Sequence, residues 1–107
     1  MNVSNIKKMF KGWFIGNFEP SVLKTDKFEV GLHIHKKGDE THNHYHKLST
    51  EVNVIISGKM KVNGKILCDG DIFTFEPYTV SEAEFLEDTK LIVVRDSSHP
   101  KDKYSAE

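Results

Sequence analysis

Five of the six histidines fall between His33 and His46, at His33, His35, His42, His44 and His46, while His99 stands apart. Neutral imidazole is the commonest protein metal ligand, so this crowding points first to a metal site. The pair His44 and His46 is its most specific part. Residues separated by one position on a strand project to the same side, so both rings address one ion. Glu51 follows four intervening residues later and supplies a carboxylate. An imidazole and carboxylate set suits Fe(II), Mn(II), Ni(II) or Zn(II), and ligand type alone does not choose among them. No glycine-rich phosphate loop, nucleophile elbow or Cys–His pair competes with this site.

Short strands must position these side chains. Phe28 to His35 alternates, with Phe28, Val30, Leu32 and Ile34 on one face and Glu29, Gly31, His33 and His35 on the other. His42 to His46 alternates again. Glu51 to Ile56, Lys59 to Val62, Lys65 to Cys68, Ile72 to Phe75, Ala83 to Leu86 and Leu91 to Val94 read as further strands. Asn63-Gly64 between two extended runs is a type I′ hairpin signal, because that turn needs positive φ at both positions. Many short strands with almost no helical periodicity predict an all-β sandwich or barrel. Ile6, Met9 and Phe10 suit one helical turn, and Trp13-Phe14-Ile15 reads as an entering strand. Ser97 to Glu107 is expected to be a loosely held polar tail or short helix.

The chain reads, from Gly38, as a glycine, five residues, His44-x-His46, four residues, Glu51, six residues and Gly58. This pattern resembles the first motif of the cupin superfamily, with every fixed position present. The second motif is divergent. Gly70-Asp71 opens it, but Pro77 falls one residue late. Aligned on Pro77, Thr79 stands where the family has Gly, Glu82 where it has its third His, and Leu86 where it has Asn. The resemblance implies an antiparallel double-stranded β-helix, or jelly-roll barrel, as a single domain over 1–107. Its core would span about 28–95, with 1–27 as N-terminal strands or an arm and 96–107 as the polar tail. It also implies a divalent metal on His44, His46 and Glu51. Glu82 is the candidate fourth ligand or general base. Without it, the site is the two-His-one-carboxylate set.

The implied function is metal-dependent, oxygenase-like or isomerase-like chemistry on a small molecule. Two alternatives stand beside it: a non-catalytic sugar-binding or sensory module, and a metal-free nucleotide-sugar epimerase or isomerase using His33, His35 or His42 as base. His42 otherwise suits the rim. His33 and His35 suit exposed or pocket-lining positions.

Packing separates the metal reading from a plain one. If His44, His46 and Glu51 were solvent-facing, Val52, Val54 and Ile56 would be core. If the histidines face inward, those apolar residues face outward and need a cover. The other sheet's flank, the Trp13-Phe14-Ile15 segment or a second subunit would supply it, and a homodimer is expected. The length of 107 residues suits one domain, and the net charge of −1 excludes a nucleic-acid binder held by bulk charge. No run approaches the length of a membrane span, and Met1 to Asn5 opens no signal-peptide-like apolar run. The single cysteine, Cys68, excludes an internal disulfide and fits a reducing cytoplasm. Cys68 is expected to be a small buried hydrophobe.

Overall fold

The computed structural model describes residues 1–107, and it is almost entirely strand and turn. A single 3-10 turn, Ile6–Lys8, is capped by Asn5, whose side chain accepts the Lys7 N–H at 2.9 Å. The strands in chain order are β1 Trp13–Ile15, β2 Glu29–His35, β3 His44–Tyr45, β4 Glu51–Ser57, β5 Lys59–Val62, β6 Lys65–Cys68, β7 Ile72–Phe75, β8 Ala83–Phe85, β9 Thr89–Arg95 and β10 Tyr104–Ser105. They form a five-stranded sheet of order β1-β2-β9-β4-β7, a three-stranded sheet of order β6-β5-β8 and a two-stranded ladder of β10 and β3. Every assigned pairing between these strands is antiparallel. The fold is the all-β double-stranded β-helix. No helix is long and apolar enough to cross a membrane.

Local chemistry explains the turns. Asn63 and Gly64 have φ of 46° and 83°, as the hairpin between β5 and β6 requires. Asn63 also ties that hairpin to the chain entering β8. Its Oδ1 accepts the Glu82 N–H at 2.8 Å, and its Nδ2 donates to the Val80 carbonyl at 2.9 Å. Gly58 has φ of 115°, and a Cβ there would lie 2.4 Å from Thr89 Oγ1 and 2.5 Å from the Asp88 carbonyl oxygen. Only glycine lets β4 turn into β5 against the start of β9.

The inner face of the large sheet is graded along its strands. Ile55 pairs with Leu91, which pairs in turn with His33, and this end joins the apolar core. That core is Ile55, Met60, Val62, Phe75, Phe85, Leu91 and Val93. Asn53, Val93 and Gly31 form the next row, and Glu51, Arg95 and Glu29 the polar one. The outer face carries Val30, Leu32 and Ile34 of β2 and Val52, Val54 and Ile56 of β4. The histidine-bearing face is therefore interior, and the plain reading with Val52, Val54 and Ile56 as core does not hold.

Two expectations are corrected. Cys68 is exposed, because alternation along β6 turns Leu67 toward the core and Cys68 away from it. Ser97 to Glu107 is not a loose tail. Ser98 and Asp102 are buried at 0% and 5% exposure, and β10 pairs with β3. Buried polar partners hold this segment, which a pattern of apolar residues does not reveal.

Candidate functional site

The interior site is assembled from strands that are distant in sequence. His44 and His46 lie on or just beyond β3, with ring centroids 5.3 Å apart. His44 Nδ1 donates to the His42 carbonyl at 2.8 Å, and His46 Nδ1 donates to the Asp102 carbonyl. A carbonyl only accepts, so each Nδ1 carries a proton, and in its neutral form each ring has its lone pair on Nε2. His46 Nε2 is buried without a hydrogen-bond partner and lies 3.6 Å from Glu51 Oε1. With His46 neutral, a lone pair and a carboxylate oxygen would face each other in a buried space, an arrangement answered by a proton on Nε2 or by a cation between or beside them.

Arg95 partly answers that demand. Its Nε donates to Glu51 Oε1 at 3.0 Å and its Nη1 to Glu29 Oε1 at 3.3 Å. The guanidinium also sits 4.9 Å from the Trp13 ring. Asn53 Nδ2 donates to the other Glu51 oxygen at 3.0 Å. Burial pushes the Glu51 carboxyl up, but contact with His46, the Arg95 charge and the Asn53 amide outweigh it and hold the value at about 2. Burial raises the Glu29 carboxyl above its ordinary value despite Arg95. His44 is lowered by burial.

His33 and His35 line the same interior from β2. His33 meets Trp13 edge-on at 4.7 Å, and its Nε2 is buried without a partner. Burial lowers it to about 4, so it is neutral near pH 7. His35 stacks on Phe85 at 4.0 Å. His42 is at the rim, its side chain 90% exposed and its Nδ1 3.1 Å from a Glu107 oxygen.

The fold brings His44, His46 and Glu51 into one region but leaves Glu82 outside it. Glu82 is exposed on the turn before β8. The reason is parity. Ser81 bridges to His44 and is buried at 8% exposure, so the next residue turns outward. Nowhere in the chain are three His, Cys, Asp or Glu side chains gathered as a ready metal cage. Two imidazoles and a carboxylate are donors of the kind a divalent ion takes, but the three are not gathered around one point. Sequence reasoning missed Arg95, Glu29, Ser81 and Asp102. Arg95 shared the inward parity of Leu91 and Val93, a signal legible along β9. Asp102 carried no such signal.

No protein-family model and no curated protein matches the sequence. Solved structures do. An uncharacterised conserved protein with a double-stranded β-helix domain from Klebsiella pneumoniae shares 26% identity over 80% of each chain, with a TM-score of 0.69. KdgF from Halomonas sp. shares 21% over 71% of this chain and 74% of its own, with a TM-score of 0.67. The DMSP lyase DddQ from Ruegeria pomeroyi shares 14% over 86% of this chain and 48% of its own, with a TM-score of 0.71. These likenesses and the inward HxH strand define a double-stranded β-helix barrel. The chain shares the cupin-type fold of these proteins.

Proposed function

We propose that this chain is a metal-binding cupin and acts as a metal-dependent enzyme on a small molecule. The observation that carries this reading is the pair of imidazoles whose Nδ1 atoms are each held on a backbone carbonyl, which leaves Nε2 as the free ring nitrogen, near the ionised Glu51. His44, His46 and Glu51 would hold the ion, which supplies Lewis acidity toward a ligand oxygen. Arg95 and Asn53 fix the orientation of Glu51 and keep it ionised, as groups behind a ligating carboxylate do. Arg95 is shared between the buried carboxyls of Glu29 and Glu51. His33, His35 and Trp13 line the space in which a small molecule would sit. The fold is shared with DddQ, named as a lyase, which agrees with an enzymatic role but does not identify a substrate.

A metal-free binding module is the second reading. Arg95 favours it, because the guanidinium already gives Glu51 a positive partner at 3.0 Å. Elemental analysis of protein purified without added metal decides between the two. The metal reading expects one equivalent or less of a transition metal in the wild type and little in His44→Ala/His46→Ala. Equal content in both would overturn it. Glu82→Gln is expected to leave the metal content unchanged, since its side chain faces solvent.

A further inference from the structure

The strand that carries the two histidines is poorly supported by the rest of the barrel. β3 has two residues, and its one ladder partner is β10. On the other side it meets a loop, where Ser81 N–H donates to the His44 carbonyl at 2.8 Å and Tyr78 N–H to the His46 carbonyl at 2.7 Å. A strand of this length does not hold its own register.

Residues 102–107 are built around it. Tyr104 pairs with Tyr45 and Ser105 with His44. Ala106 N–H donates to the Asn43 carbonyl at 2.9 Å, and the Glu107 carboxylate accepts the Asn43 N–H at 3.0 Å. Tyr104 stacks on Tyr45 at 5.5 Å, and Lys47 Nζ lies 4.1 Å from the Tyr104 ring centroid.

Asp102 is the anchor. Its carboxylate accepts the N–H groups of Lys47 at 2.7 Å, Leu48 at 3.1 Å and Ser49 at 3.3 Å, and the Ser49 hydroxyl at 3.3 Å. It thereby satisfies the backbone of the loop joining His46 to Glu51. Its own carbonyl accepts the His46 Nδ1–H. One residue therefore shapes the connection between two candidate ligands and sets the tautomer of one of them.

We infer that residues 102–107 form a strap whose docking positions the His46 imidazole, with Asp102 as the positioning residue. Docked, the strap holds Nδ1–H on the Asp102 carbonyl and turns Nε2 toward Glu51. Undocked, nothing else holds Nδ1–H, the Glu51 carboxylate 3.6 Å from Nε2 favours the other tautomer, and β3 loses its ladder partner. The consequence for the ring is independent of any metal. The consequence for metal affinity rests on the proposed function.

The test uses the full-length chain. Nitrogen-15 NMR of the imidazoles reads the His46 tautomer in metal-free protein, and titration with Zn²⁺ or Mn²⁺ reads affinity. Asp102→Ala is expected to abolish the single Nδ1–H signature of His46 and weaken metal binding about ten- to a hundredfold, the usual cost of losing a group that orients a ligand. Asp102→Asn keeps one acceptor oxygen but sets an NH2 donor where the other oxygen accepted, and is expected to give an intermediate loss of both. Ala106→Pro removes an exposed strap hydrogen bond without touching a buried group, and should give a smaller change of the same kind. If Asp102→Ala fails to fold, the other two variants carry the test. An Nδ1–H signature for His46 unchanged in every folded variant would overturn the strap. If the wild type binds neither ion, the proposed function fails, and the strap is judged on the tautomer alone.

Discussion

Arg95 is a cation enclosed in a β-barrel, where the cost of leaving water is high unless every charge nearby is matched. Glu29 and Glu51 match it from the two flanking strands at 3.3 Å and 3.0 Å. Removing the guanidinium would leave two buried carboxylates facing each other. Arg95→Met is therefore expected to cost about 3–5 kcal/mol, read as the urea midpoint at pH 7. A loss below about 1 kcal/mol would mean that water reaches the carboxylates. His33 gives a second expectation at this scale. Its value of about 4 in the folded chain lies below the 6.5 of an unperturbed imidazole, because burial disfavours its charged form. A group lowered by folding contributes stability that is complete above its unfolded value and lost as the pH falls through the folded one. Between pH 7 and 5 the chain should lose roughly 2 kcal/mol from His33 alone. Replacing it with Phe should flatten the slope of stability against pH in that window. An unchanged slope would place the acid sensitivity elsewhere. The contrast between these residues and His44, His46 and Glu51 is physical. The latter three are legible because they lie on consecutive segments of chain joined by one short loop, so their spacing is local. Arg95 meets Glu29 across 66 positions and Glu51 across 44, so no local pattern records the network.

Elements follow the same division between local and distant causes. Asn63-Gly64 dictates its own turn, and the strands on either side match the sequence boundaries at Lys59–Val62 and Lys65–Cys68. Alternation also placed β2, β4, β7 and β9 within about two residues. Alternation says which residues share a face, but not which face is interior. On β2 the polar face with Glu29, Gly31 and His33 turns inward, because Trp13 and Arg95 wait there. The segment after Ser97 was unreadable for a related reason: its order comes from Asp102 collecting backbone N–H groups of another loop. Asn63 is the sharpest test of element chemistry. Asn63→Ala removes a residue suited to positive φ and two hydrogen bonds that hold the turn before β8. The expected cost is about 1–2 kcal/mol in thermal or urea unfolding. Asn63→Gly should recover the backbone part only. If the two variants were equal in stability, the positive φ would carry no strain.

At the scale of the whole molecule, the inward turn of the polar residues has an outward consequence. The outer face of the large sheet carries two cross-strand rows. One is Val30, Val94, Val52 and Thr74, and the other is Leu32, Ile92, Val54 and Ile72. Ile34, Ile56 and Ile72 are 61%, 52% and 67% exposed. Trp13 does not cover them, since it is turned inward against His33 and Arg95. A continuous apolar face across four strands is larger than the scattered apolar residues normal on a monomer. A second copy of the chain is the occupant that suits it, because sheet faces pack on each other about 10 Å apart and a two-fold axis satisfies both copies at once. The proposed dimer would bury roughly 1,200–2,000 Å² in total. Sedimentation at micromolar concentration is expected to give twice the chain mass for the wild type. Ile72→Lys with Ile56→Glu should shift it to the single-chain mass while leaving the circular dichroism of the barrel intact. A wild-type monomer would overturn the dimer without touching the interior site. A double variant that still sediments as a dimer would move the interface to another face.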